Sequence, residues 1–224
     1  MRSAEGSQRS PALLDLALVL ALSAQCAPGV SPQTLAAIAH TESRFNALAI
    51  GVNRGAAVRQ PKTREEAARV ARRLIASGAN IDLGLAQINS SNLGWLRLTV
   101  EDAFDPCRNL TAAGTVLRAG FDPASTGSDR QHALRVALSR YNTGHPDRGF
   151  RNGYVARVEA SAARLGLAVS GPPLTEAASG LLHDQVAPDP VAPPAAWDVF
   201  ARASASAVVL FAPASQPQTW SVIP

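Results

Sequence analysis

One carboxylate in this sequence stands where an apolar side chain is expected. Ser31-Pro32 opens a helix with a cap and a proline at its first position, and its apolar stripe runs Leu35, Ile38, Ala39. The next residue on that face is Glu42. Apolar surroundings disfavour the charged form of a carboxyl group, and the carbonyl end of a helix disfavours it further. A carboxyl that keeps its proton near neutral pH is what a general acid requires. Glu42 therefore either does acid chemistry or merely snorkels at a helix end beside Arg44. Two further segments carry polar groups of suitable kind. Gly84-Leu85-Ala86-Gln87-Ile88-Asn89 offers a flexible backbone and two amides, which share a side if the segment is extended. Tyr141-Asn142-Thr143-Gly144 ends a helix with a phenol and an amide before a glycine.

The elements that must position these groups are mostly helices. An opening helix carries Leu13, Leu14, Leu16, Ala17, Leu20 and Ala21 on one face. The Ser31 helix runs to about Arg44. Thr63-Arg64-Glu65-Glu66 forms a capping box before Ala67, Val70, Ala71, Leu74 and Ile75, and Gly78 stops that helix. Asp105-Pro106 starts another, Ser128 with Gln131 caps a fourth, and the last spans about Arg151 to Leu165. Ala47–Gln60 and Ala79–Asn89 are rich in Gly and Asn and have room for a short hairpin. The fold class is mainly α, with a minor β element.

Composition sets the outer limits. Apolar residues are 46% and charged residues 17% of the 224, enough for one core, and aromatics are only 5%. The net charge is +4, but residues 170–224 carry four acids against Arg202, which leaves a body of net +7. A cationic body suits an anionic polymer, either nucleic acid or cell envelope. No helix dense in Arg and interleaved with aromatics is present, so the chain is not read as a nucleic-acid binder. No apolar run reaches the roughly 20 residues of a membrane span. The stretch Leu13 to Ala24 imitates a signal peptide, but Asp15 interrupts it and a helix of the domain is the preferred reading. His40, His132, His145 and His183 are scattered, so no metal site is expected, and no cofactor. Nine of the 16 prolines lie at or beyond Pro172. The division expected is a flexible start over 1–10, one domain over 11–168, and a Pro/Ala-rich, largely disordered tail over 169–224.

In order, Glu42-Ser43-Arg44-Phe45-Asn46, Gly84-Leu85-Ala86-Gln87-Ile88-Asn89 and Tyr141-Asn142-Thr143-Gly144 resemble the motifs of the soluble lytic transglycosylases. Cys26-Ala27-Pro28, Ala49-Ile50-Gly51-Val52-Asn53 and Asp105-Pro106-Cys107-Arg108-Asn109-Leu110 are similar to the members that accompany type IV secretion and conjugation machines. The likeness covers about residues 11–167, with a fainter echo in Trp197-Asp198-Val199-Phe200. It implies a lysozyme-like domain that cleaves peptidoglycan between N-acetylmuramic acid and N-acetylglucosamine, leaving 1,6-anhydro ends.

By that resemblance Glu42 is the sole catalytic acid, and Gln87 and Asn89 bind substrate beside it. Tyr141 is a phenol that orients and shields Glu42, Asn142 has a binding or structural role, and Tyr154 belongs at the cleft. Cys26 and Cys107 are a disulfide candidate, in keeping with a periplasmic location whose export route the N-terminus does not reveal. The expected partners are glycan strands and, through the tail, secretion-system subunits. Thr143 is bulkier than the family's usual residue, and Ala86 stands where methionine is common. Asp82, the nearest second carboxylate, is read as a turn or cap residue. Two rivals stand beside this reading: a hydrolytic muramidase, and a non-catalytic assembly scaffold of the same fold.

Overall fold

The computed structural model describes residues 13–127 and 129–167; the expected flexible start and disordered tail lie outside them. Local chemistry explains most of the helix starts. In α1 (Leu16–Cys26) the cap is Asp15, which accepts from Leu18 N at 2.8 Å. The acid that breaks the apolar run thus begins the helix three residues later than Leu13, which instead forms a β-bridge to Asn46. In α2 (Pro32–Ser43) every residue from Thr34 to Ala39 is buried, so this helix runs through the core. It packs against α1 on one side and α8 on another.

After α2 the chain reverses through Arg44 and Phe45, both left-handed with φ of 53° and 67°. It then enters a small antiparallel sheet of order β1-β2-β3. The strands are β1 (Ile50–Val52), β2 (Ile81–Leu83) and β3 (Ile88–Asn89). Gly51 pairs with Asp82, and Asp82 in turn with Asn89. The Gln60 side chain covers the outer edge of β1, accepting from Ile50 N at 2.9 Å and donating to Ile50 O at 3.0 Å. Between β1 and β2 lies α3 (Arg64–Ala76), whose cap Thr63 accepts from Glu66 N. A four-residue helix, α4 (Leu93–Leu96), follows the sheet.

Two long helices complete the body. In α5 (Pro106–Gly120) the Asp105 cap accepts from Arg108 N. In α6 (Arg130–Thr143) the cap is Asp129, one residue beyond the expected Ser128, and its Oδ1 accepts from both Gln131 N and His132 N. The single last helix expected from Arg151 to Leu165 is two: α7 (Arg148–Arg151) and α8 (Tyr154–Arg164). Gly153 at φ 75° breaks them, while Asn152 Oδ1 accepts from Tyr154 N to restart the turn. Cys26 at the end of α1 is bonded to Cys107 in the first turn of α5, with Cα atoms 5.4 Å apart and a sequence separation of 81.

The turn from β2 to β3 hangs on one buried amide. Asn109, fully enclosed on α5, donates from Nδ2 to Leu83 O (2.9 Å) and Ala103 O (2.7 Å), and its Oδ1 accepts from Ala86 N (2.8 Å). Gly84 makes this possible: its φ is 74°, and a Cβ there would lie 2.1 Å from Ala103 O and 2.6 Å from Asn109 Nδ2. Asn109→Ala strands three buried backbone groups, so a loss of about 3 kcal/mol or more is expected in denaturant unfolding. Reduction or Cys26→Ser removes a long-loop cross-link and should lower stability by roughly 4–5 kcal/mol on the chain-entropy account.

Candidate active site

Glu42 occupies the last turn of α2, half-buried, at the wall of a cavity of 480 Å³. The Tyr154 hydroxyl, arriving from the first residue of α8, donates to Glu42 Oε1 at 2.6 Å. Tyr154 itself is 2% exposed. Burial raises the Glu42 carboxyl from 4.5 to about 7; the Tyr154 bond pulls down, the Asp82 charge pushes up, and Arg157 pulls down. The phenol of Tyr154 is held well above its ordinary range by burial and by the facing carboxyl, so it remains a donor.

Tyr141 also lines the cavity, but its hydroxyl donates to Ala86 O at 2.7 Å rather than to the acid. The orienting bond expected of Tyr141 is made by Tyr154. Tyr141 instead braces the β2–β3 turn from α6, and Ser43 does the same from α2 by donating to Leu85 O at 2.6 Å. Two helices therefore clamp the turn that carries Gln87 beside Glu42.

That turn is not extended. Gln87 is left-handed at φ 50°, and its N–H donates back to Gly84 O. Its Nε2 donates to Gly84 O (2.8 Å) and Ala49 O (3.2 Å), which leaves Oε1 as the group available to a ligand. Gly51 gives it room, since a Cβ there would meet Gln87 Oε1 at 2.8 Å. Asn89 is on the cavity wall with both ends of its amide engaged. Nδ2 donates to Asp82 Oδ1 (2.7 Å) and Asn80 Oδ1 (2.8 Å), and Oδ1 accepts from Ser91 N and Asn80 Nδ2. Asn142 lines the same cavity, its Oδ1 accepting from Asn152 Nδ2.

Asp82 is no turn or cap residue. It sits in the middle of β2 and faces the cavity, its Oδ2 accepting from Asn53 Nδ2 at 2.8 Å as Oδ1 does from Asn89. Its pairing between Gly51 and Asn89 was hidden in a sequence that shows only an acid before a glycine. Trp95 and Arg140 are further cavity residues that the motif pattern passes over. The arrangement thus supplies one protonated carboxyl, one amide-held carboxylate and a rim of amides. Such a set can deliver a proton to an ether oxygen and hold hydroxyl and amide groups around it.

The Transglycosylase SLT domain family matches residues 20–162. Protein virB1 of Agrobacterium fabrum is 41% identical over 151 residues, which are 67% of this chain and 60% of that protein. The type IV secretion system protein virB1 of Brucella abortus is 44% identical over 150 residues, 64% of this chain and 63% of that protein. The chain thus spans less than two thirds of the length of these relatives. No solved structure matches it.

The raised carboxyl has a consequence for stability. Folded Glu42 keeps its proton to about pH 7, whereas unfolded it keeps it only to about 4.5. Between these values the folded state binds more protons, so stability falls as pH rises. Glu42→Gln removes this penalty: the variant should be more stable than wild type at pH 8, by at most about 3 kcal/mol, with the gap closing by pH 4. Denaturant unfolding at the two pH values measures it. Tyr154→Phe removes a bond that lowers the carboxyl's pKa, so the titration of Glu42 should move to higher pH, as read by the alkaline limb of any acid-dependent activity.

Proposed function

This chain belongs to the transglycosylase SLT family, and from that premise we propose that it is a peptidoglycan lytic transglycosylase acting on the bond between N-acetylmuramic acid and N-acetylglucosamine. The observation that carries the reading is Glu42: a carboxyl held protonated to about pH 7 at the wall of an amide-lined cavity.

The reaction needs one acid used twice. With Tyr154 donating to Oε1, the proton of Glu42 resides on Oε2 and passes to the glycosidic oxygen as the C1–O bond breaks. The carboxylate so formed then takes the proton of the muramoyl 6-hydroxyl while that oxygen bonds to C1, which closes the 1,6-anhydro ring and restores the acid. Positive charge building on the sugar ring is met by the Asp82 carboxylate and by the substrate's own N-acetyl group. The Gln87 carbonyl and the Asn142 amide are positioned to hold the sugars. Asn89 serves by orienting Asp82.

Asp82 also raises the hydrolytic alternative, in which a second carboxylate acts as nucleophile or base. Both of its oxygens already accept an amide N–H, from Asn53 and Asn89, which weakens it in either part and favours the anhydro product. The type IV secretion relatives suggest local wall opening for such a machine as the role. The periplasm, where disulfides persist, suits both the substrate and the Cys26–Cys107 bond. We assign catalysis to 11–168 and docking on secretion-system subunits to 169–224.

Glu42→Gln should fold and lose cleavage of purified sacculi by about 10²–10⁴-fold. Mass spectrometry of the wild-type products should show anhydro ends, lighter by one water than hydrolytic ends; reducing ends alone would make the enzyme a muramidase. A chain ending at Leu167 should retain this cleavage in vitro and fail to support the secretion apparatus in cells.

A further inference from the structure

Asn152 stands at the break between α7 and α8 with an exposed side chain, so it adds nothing to the core. It does not line the catalytic cavity either. Yet three of its polar atoms reach three residues around Glu42. Oδ1 accepts from Tyr154 N at 2.9 Å, Nδ2 donates to Asn142 Oδ1 at 2.8 Å, and the main-chain oxygen accepts from Arg157 Nη1 at 2.9 Å. The Arg157 guanidinium in turn lies 5.8 Å from the centre of the Tyr154 ring. The turn that opens α8 accounts for the first of these contacts and for neither of the others.

The side-chain contacts fix one another. A backbone N–H can only donate, so the Asn152 atom facing Tyr154 N is the carbonyl oxygen, which turns Nδ2 towards α6. Nδ2 can only donate in turn, so Asn142 meets it with Oδ1, and Asn142 Nδ2 is the end of that amide available to a ligand. On the other side, Tyr154 is the first residue of α8, and the place where its backbone is held decides where its hydroxyl meets Glu42. Gly153, left-handed at φ 75°, brings no side chain of its own to this join.

We infer that Asn152 is a positioning residue for the reaction: one end of its amide sets the Tyr154 hydroxyl against the acid, and the other sets the donor end of Asn142 towards the sugars. This rests on reading the cavity as the glycan site. Asn152 acts on the acid only through Tyr154 and on the substrate only through Asn142.

Two neutral substitutions separate these roles. Asn152→Ala removes both side-chain contacts, whereas in Asn152→Ser the hydroxyl still accepts from Tyr154 N and is too short to reach Asn142. Neither alters the charged and titratable groups that face Glu42, which are Tyr154 and Arg157 of α8, Asp82 of β2 and Tyr141 of α6. On solubilised glycan strands Asn152→Ala should lower kcat by roughly tenfold and raise KM by roughly threefold. The alkaline limb of kcat should move to higher pH, because a loosened Tyr154 bond no longer holds the carboxyl down. Asn152→Ser should restore kcat and the limb and keep the raised KM. In a Tyr154→Phe background Asn152→Ala should shift the limb no further, and in an Asn142→Ala background Asn152→Ser should leave KM unmoved.

A second measurement needs no substrate. Unfolding stability falls between pH 4 and pH 8, and Glu42→Gln abolishes the part of that fall due to the Glu42 proton. That part should be larger in Asn152→Ala than in wild type and unchanged in Asn152→Ser. Should Asn152→Ala not fold, the KM of Asn152→Ser decides, and a wild-type value overturns the assignment. A limb and a KM unmoved in Asn152→Ala, or the same limb shift with and without Tyr154→Phe, would leave Asn152 a helix start and nothing more. Failure of wild type to cleave glycan would overturn the reading beneath, while the stability comparison still decides whether Asn152 positions the acid.

Discussion

A carboxylic acid that must stay protonated near neutral pH and yet point steadily at its target is an awkward thing to build, and the bond between Tyr154 and Glu42 resolves it. Burial alone would push the carboxyl further upward and leave neither oxygen fixed. A single phenolic donor fixes one oxygen and moderates the shift, so the other oxygen is left to face the cavity. Everything around this pair serves to hold two helix ends together: the buried run of α2, the break at Gly153 that aims α8, and the packing of α8 along α2.

The opposite wall depends on backbone groups rather than on charge. The turn between β2 and β3 is too short to hold its own shape, and three side chains from three helices fix it: Asn109, Tyr141 and Ser43. Gln87 is then set in a conformation it would not choose alone. The Asn53, Asn80 and Asn89 amides form a small net that holds the Asp82 side chain still. Burial is what chiefly raises the Glu42 carboxyl, and the Asp82 charge across the cavity adds to it.

What the chain reveals without its fold follows from the range of each interaction. Caps such as Asp105, the Thr63–Glu66 box and the Ser31-Pro32 start are local, and helix positions follow from them closely. The misplacement of Glu42 on an apolar stripe is also local and legible. The α7–α8 break was missed because Gly153 lies in a helix-like pattern, and its left-handed turn becomes evident only with Asn152 bonded to Tyr154 N. The exchange of roles between Tyr141 and Tyr154 could not be read, since each phenol finds its partner across 55 or 112 residues. Asp82 is hard to read for the same reason: its neighbours in sequence suggest a turn, while its partners are Asn53, just past β1, and Asn89 of β3. Trp95 and Arg140 lie outside every motif, and only the cavity identifies them.

That 112-residue span sets an order of events during synthesis. A ribosome delivers Glu42 long before Tyr154, and a partial chain lacks α8 altogether. Until α8 closes on α2, Glu42 is an ordinary solvated glutamate that ionises near 4.5 and has no proton to give at neutral pH. Closing so long a loop is slow and comes late in folding. The proton-holding form of Glu42 is therefore absent from any chain that stops short of α8 and arrives when that helix docks, a safeguard written into chain topology.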